Sequence, residues 1–304
     1  MTKATVCRGS AAEAAAVQFG RRISPPYPAP PQPCDNTAMP LDDQDWARLI
    51  DGVRRVPLAR YRDELTPRRV EQLTAVLAQP GETDIRRRLA HVLNDLLQGQ
   101  PDPAALISPL AAQRLVQALT VYATYGPDLL ALPDWAAAET ELHDNVLTWL
   151  HQVRDAAAEP LRQLLAGPAL PVIASRLRPD PPLLAAKLSA LQVLWRLRPA
   201  DGDLLLDLAA RADEPLPVRL AALRTAIVDA ERTPPAALVA SLVGGGPVPP
   251  DLRTWPAEAG AVLAPQLIEL VAEADPLLAQ AAAGWLVALG PAQVELVAQA
   301  YVDC

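Results

Sequence analysis

The chain is short of the residues that β-structure, tight turns and covalent chemistry require. Aromatic residues make up 4% of its 304 positions, and phenylalanine occurs once. Strands of a sandwich or barrel draw on β-branched and aromatic side chains, so an all-β fold is excluded. Fourteen glycines are too few for a succession of tight hairpins. The single Gly244-Gly245-Gly246 run is followed by Pro247, not by a Lys-Ser/Thr pair and a helix, so it is no phosphate-binding P-loop. Cys7, Cys34 and Cys304 are odd in number and lack CxxC spacing, which argues against a disulfide framework or a zinc site. A reducing, cytoplasmic setting is the expectation. No apolar run approaches the roughly 18–20 residues of a membrane span, and no continuous apolar stretch marks a secretory signal in the first forty residues.

What is abundant is alanine and leucine, 106 residues together, with 33 prolines, about twice the usual share of about 5%. This composition predicts many short helices punctuated by proline. Lysine is confined to Lys3 and Lys187, the rest of the positive charge being arginine. Together with the alanine and proline excess, this reads as the imprint of a GC-rich genome. The net charge of −8 argues against a protein devoted to nucleic acid or anionic membrane. Residues 24–40 hold seven prolines and read as an extended spacer within a disordered tail over 1–40. Residues 1–34 carry Lys3, Arg8, Arg21 and Arg22 against Glu13 alone. A disordered tail, or sequence upstream of a start at Met39, is preferred there over an organelle transit peptide.

From about Asp42 onward the pattern is helical. Trp46, Leu49, Ile50, Val53 and Val56 share one face of a first helix, which Pro57 ends. Thr66-Pro67 and Ser108-Pro109 each place a capping hydroxyl before a proline at the first helical position. Between them, Ile85, Leu89, Val92, Leu93 and Leu96 form another stripe. Asp134 is read as the cap of a longer helix bearing Leu142, Val146, Trp149 and Val153. Further helices are expected near 160–166, 169–177, 182–197, 202–211, 216–230, 234–243, 257–274, 276–289 and 291–302. Short loops between them imply antiparallel neighbours. The Gly/Pro-rich stretch 244–254 is the expected irregular loop, and a break in the domain over 41–304 is placed there.

A repeat underlies part of this pattern. Ala186-Lys187-Leu188-Ser189-Ala190-Leu191 aligns with Val218-Arg219-Leu220-Ala221-Ala222-Leu223, and each follows an acidic-proline turn, Asp180-Pro181-Pro182 or Asp213-Glu214-Pro215. Asp84-Ile85-Arg86 before Leu89-Ala90, and Asp275-Pro276-Leu277 before Gln280-Ala281-Ala282, extend the series. At these residues the chain resembles HEAT-type repeats, whose second helix often opens with an Asp turn and a Val-Arg pair. The resemblance covers about 80–98 and 180–302. It implies an all-α superhelix of antiparallel helix pairs, with an irregular α-helical bundle as the alternative. In such an array Asp is expected to cap the helix start, alanines to permit close approach, and Arg to ladder to an acid in the neighbouring repeat.

No catalytic constellation, cofactor site or metal site emerges from the residues. His143 and His151 are eight apart where a ligand pair wants three or four, and the histidines are expected to be solvated or capping. Acidic pairs such as Glu139/Asp144 or Glu269/Glu273 are ordinary on amphipathic helices. Tryptophans 46, 135, 149, 195, 255 and 285 are spread along the chain as core anchors, one per helix. Charge is distributed unevenly: 54–88 holds nine arginines against five acids, whereas 255–304 holds six acids and no base. The candidate binding surface is therefore Arg54, Arg55, Arg68, Arg69, Arg86, Arg87, Arg88 and Arg219. The first functional expectation is a non-enzymatic scaffold that reads a protein partner along the surface of a helical array. The alternative is nucleic-acid binding through 54–88.

Overall fold

The computed structural model describes residues 40–51, 57–125, 133–174, 183–194 and 201–290. Residues from Leu41 onward belong to one compact unit. Among the described residues are thirteen α-helices: α1 (Asp43–Ile50), α2 (Leu58–Asp63), α3 (Pro67–Leu77), α4 (Thr83–Gln98), α5 (Pro109–Ala118), α6 (Pro133–Gln152), α7 (Arg154–Ala166), α8 (Ala186–Val193), α9 (Gly202–Ala210), α10 (Leu216–Val228), α11 (Ala236–Val243), α12 (Ala257–Glu273) and α13 (Pro276–Leu289). The class is all-α. The one departure is a minute antiparallel pairing, Ile173 with Leu184 and Ala174 with Leu183.

The cap devices act as their chemistry requires. Thr66 Oγ1 accepts the Arg69 amide at 3.3 Å and Ser108 Oγ the Ala111 amide at 3.2 Å, in each case with proline at the helix start. Asp275 accepts from both Leu277 and Leu278 at the head of α13. Three expected caps fail, Asp84 first, since α4 already begins at Thr83. Asp134 lies inside the first turn of α6, because Pro133 already begins the helix. Asp213 turns to Arg211 instead of α10, whose start is set by Pro215 and Pro217. The helix expected over 169–177 is also absent from 169–174. Pro168 and Pro171 remove two amides there, and Ile173-Ala174 enter the extended pairing. Conversely α7 begins at Arg154 and carries Pro160 within it, so proline does not mark that start. The helix expected over 291–302 lies outside the described residues.

The helices form two layers. In one, α3, α5, α7, α9, α11 and α13 each pack on the next; in the other, α4, α6, α8, α10 and α12 do the same. Consecutive helices join the layers, α3 on α4, α5 on α6, α7 on α8 and α9 on α10, while α1 and α2 pack on α4. The packing of α10 on α12 and of α11 on α13 spans the 244–254 stretch. Between the layers lies a continuous leucine-rich core, anchored by Trp46, Trp149 and Trp285. Alanines 111, 112, 118, 157, 186, 190, 222, 226, 259, 264 and 282 are fully buried in it, where only a methyl group separates neighbouring backbones. Trp135 and Trp149 share α6, so the tryptophans are not one per helix, and Trp195 lies outside the described residues.

Candidate functional site

Three cations are drawn into this core, and all three come from the aligned repeat. Arg86, Lys187 and Arg219 sit in the first turn or so of α4, α8 and α10, the second helices of their pairs. Each reaches the carbonyls that end the preceding first-layer helix. Arg86 Nε donates to Leu77 O at 3.2 Å. Lys187 Nζ donates to Leu165 O at 3.2 Å and Gly167 O at 2.8 Å. Arg219 Nε donates to Ala209 O at 2.9 Å. A helix C-terminus offers unpaired carbonyls and a partial negative charge, which a cation satisfies at once. This explains why Arg or Lys recurs at one register among Ala and Leu.

Two of these cations also tie one pair to the next. Arg86 Nη1 donates to Glu139 Oε1 of α6 at 2.5 Å, and Arg86 Nη2 to Ala118 O at the end of α5 at 3.3 Å. Lys187 Nζ donates to Glu214, in the turn before α10. Both ion pairs are sealed from solvent. Burial pushes the Glu139 carboxyl up, with Arg86 pulling it back. Burial likewise lowers the Lys187 ammonium against the opposing pull of Glu214. His143, one turn after Glu139, is buried too, neither solvated nor capping. Desolvation, reinforced by the nearby Arg86 charge, lowers its pKa to about 3, and it is neutral against Tyr122 at 5.5 Å between ring centroids. Tyr122 continues the chain of contacts: its hydroxyl donates to Pro171 O at 2.6 Å and accepts the Ala186 amide at 3.2 Å.

These placements redraw the arginine surface expected from the sequence. Arg86 and Arg219 are 1% and 8% exposed and cannot contact a macromolecule. Arg69 pairs with Asp43 at 2.6 Å and lies over Trp46. Arg87 is held between Asp84 and Glu141 at 3.4 and 3.0 Å. Arg68 and Arg88 are exposed, and neither forms an ion pair among the described residues. Arg54 and Arg55 lie outside the described residues. Among the described arginines of the basic segment, Arg60, Arg69, Arg86 and Arg87 are paired with acids.

A different surface is open. A groove of about 670 Å³ runs over the second layer from the end of α6 across α8 to α10. Leu188, Leu191, Ala221 and Val228 supply apolar lining, with Gln192, Arg224, Asp229 and His151 as polar groups. Asp229 is half-buried; desolvation raises its pKa while Arg224 opposes the shift. No reading of the sequence singled this groove out. Its one signal is that Gln192 and Arg224 are the exposed polar side chains of α8 and α10.

Among the described residues no group of three or more His, Cys, Asp or Glu side chains is placed to hold a metal ion. Nor is any described helix long and apolar enough to cross a membrane. No family model, no curated protein and no solved structure matches the chain.

Proposed function

We propose that this chain is a HEAT-like helical-repeat scaffold, not an enzyme, and that it receives a segment of a protein partner in the groove over α6, α8 and α10. The observation that carries this reading is the groove itself, where Leu188, Leu191, Ala221 and Val228 are interspersed with Gln192, Arg224 and Asp229. Protein interfaces likewise mix apolar contacts with polar ones. The repeated helix-end cations support the repeat reading, since the same register performs the same task in three pairs. A cytoplasmic setting accords with three cysteines lacking any framework spacing. A nucleic-acid partner has less support, because most of the described candidate arginines are buried or paired.

The test is affinity capture with the full chain beside its Arg224→Glu variant, after nuclease treatment. The scaffold reading expects a protein retained by the parent and lost from the variant, with thermal melting unchanged. A set of bound proteins indifferent to Arg224→Glu would sink the groove. Retention of DNA that falls steeply with salt would transfer the function to the basic segment.

A further inference from the structure

The groove over the second layer holds charges that the chain itself leaves unpaired. Among the described arginines, only Arg68, Arg154, Arg224 and Arg253 make neither a hydrogen bond nor an ion pair within the chain. Arg224 lines the groove, and so does Asp229, just past the end of α10. The Asp229 carboxylate is half-buried, and no described group donates a hydrogen bond to it. Arg224 is near enough to oppose the upward shift that burial gives Asp229, yet the two form no ion pair. Gln192 of α8 is exposed and unbonded as well. Thr225 is engaged, its hydroxyl donating to Ala221 O at 2.8 Å. The lining also has a period. Ala221, Arg224, Thr225 and Val228 follow one another along α10 as a helical ridge, and Leu188, Leu191 and Gln192 do the same along α8. Ridges of this kind are what a further helix packs against.

Resting on the groove reading above, we infer that the partner segment is an amphipathic α-helix carrying an acid and a base one turn apart beside its apolar stripe. The stripe meets Leu188, Leu191, Ala221 and Val228, the acid meets Arg224 and the base meets Asp229. Arg224 and Asp229 stand about 7.5 Å apart along the helix axis, close to the roughly 6 Å between residues i and i+4 of a partner helix. Charge excludes the other occupants. A nucleic-acid backbone or a uniformly acidic segment brings anions onto Asp229, which has no donor to spare. A uniformly basic segment meets the unpaired Arg224. An uncharged segment covers a half-buried carboxylate and gives it nothing in return for lost water. The backbone also decides. A helix satisfies its own amides and carbonyls, whereas an extended segment needs a strand edge, and α8 and α10 offer none.

The experiment is selection from a displayed library of random peptides about 15 residues long, enough to fold as a helix on binding. The full chain is the bait, beside its Ala221→Arg variant and the charge-exchanged R224E/D229R variant, each checked by melting. The parent should enrich sequences with apolar residues at helical spacing and an acid and a base four residues apart. A peptide so selected should bind R224E/D229R about tenfold more weakly or worse, since like charges then face each other. Exchanging the acid and base within the peptide should restore its binding to that variant. Should R224E/D229R not fold, Arg224→Glu alone, at an exposed position, repeats the test with the peptide's acid changed to lysine. Peptides lost on Ala221→Arg but lacking the acid–base pair, or held equally by the charge-exchanged variant, overturn the inference and leave the groove standing. Enrichment of extended, proline-broken sequences does the same. A parent that sediments as a dimer, and that R224E/D229R makes monomeric, assigns the groove to a second copy instead. Enrichment indifferent to Ala221→Arg, or none at all, removes the groove and the inference with it.

Discussion

Replacing Arg86 with methionine tests the central claim about the core, that this cation serves two helix ends and one buried carboxylate at once. Methionine keeps most of the volume and none of the donors. The substitution strands Leu77 O, Ala118 O and Glu139 Oε1, all of which Arg86 now satisfies. Breaking a buried ion pair from one side costs about 3–5 kcal/mol, because the remaining charge stays out of water. Each orphaned carbonyl would add about 1–3 kcal/mol if nothing relaxed. Glu139 limits the total by taking up a proton, since burial already pushes its carboxyl up. A net loss of about 3–5 kcal/mol at pH 7 is therefore expected, a large part of the roughly 5–15 kcal/mol that holds a native protein together. At about 2–4 °C per kcal/mol for a unit of this size, melting falls by about 6–20 °C.

Urea unfolding followed by circular dichroism at pH 7 and pH 5 supplies the measurement. Without Arg86 the folded-state pKa of Glu139 stands further above its unfolded value, so the variant's penalty is full at high pH. It lessens as pH falls through the folded value, and the deficit against the parent must shrink between pH 7 and pH 5. Adding Glu139→Leu removes the stranded charge and should recover most of the loss, leaving about 1–3 kcal/mol for the carbonyls. A loss below about 1 kcal/mol at pH 7, or no recovery in the R86M/E139L double variant, would refute the assignment of Arg86 as the joint between α3, α4, α5 and α6.

His143 makes the parent acid-sensitive: its folded pKa of about 3 lies below the unfolded value near 6.5, so the unfolded state binds the proton first. The parent should lose about 2 kcal/mol from this group between pH 7 and pH 5, and His143→Gln should abolish that part of the slope in urea midpoints. Lys187→Met strands Glu214, but Arg211 Nη2 stands 3.4 Å from the same carboxylate and softens the loss below that of R86M. Because the folded pKa of Lys187 is lowered, the parent gains stability as pH rises from that value toward the unfolded one. The stability difference between parent and K187M, read by urea unfolding, should therefore widen on the alkaline side.

Helix positions were legible because local physics dictates them: apolar spacing, hydroxyl-proline caps and proline stops each act within one turn. The failures have equally local causes. Asp213 cannot cap α10 while Arg211 holds it, and Pro168 before and Pro171 within 169–174 deny that stretch two amides while Ile173-Ala174 pair with Leu183-Leu184. What composition could not tell is which arginines face inward. The run Arg86-Arg87-Arg88 reads as one patch along the chain, yet successive residues on a helix point about 100° apart, and Arg86 alone enters the core. The Ile85-Arg86 and Val218-Arg219 pairs held the better signal. A cation preceded by an apolar residue at a repeated register, with leucine and alanine following, belongs to the array's interior. The groove left almost no trace in the sequence, because it is assembled from α6, α8 and α10 and no single helix contains it.

That assembly explains why the buried cations matter to the surface. The groove exists only if α6, α8 and α10 keep their register, and each of the three is tied to another element by a buried polar contact. Glu139 fixes α6 to α4 through Arg86. Tyr122, in the turn after α5, bonds the first amide of α8 and Pro171 O, and Lys187 fixes α8 to the turn that launches α10. Apolar packing alone would tolerate a helix sliding by part of a turn, since leucine and alanine faces are nearly interchangeable along these helices. A cation aimed at particular carbonyls does not tolerate it: a shift of even 1.5 Å per residue of slip breaks the hydrogen bond and leaves a charge buried. Each ion pair thus couples the register of its helices to a buried charge. It follows that K187M, which removes the buried tie between α8 and the turn before α10, should disturb partner capture through the proposed groove even where the chain remains folded, whereas R86M should act on the groove only through α6.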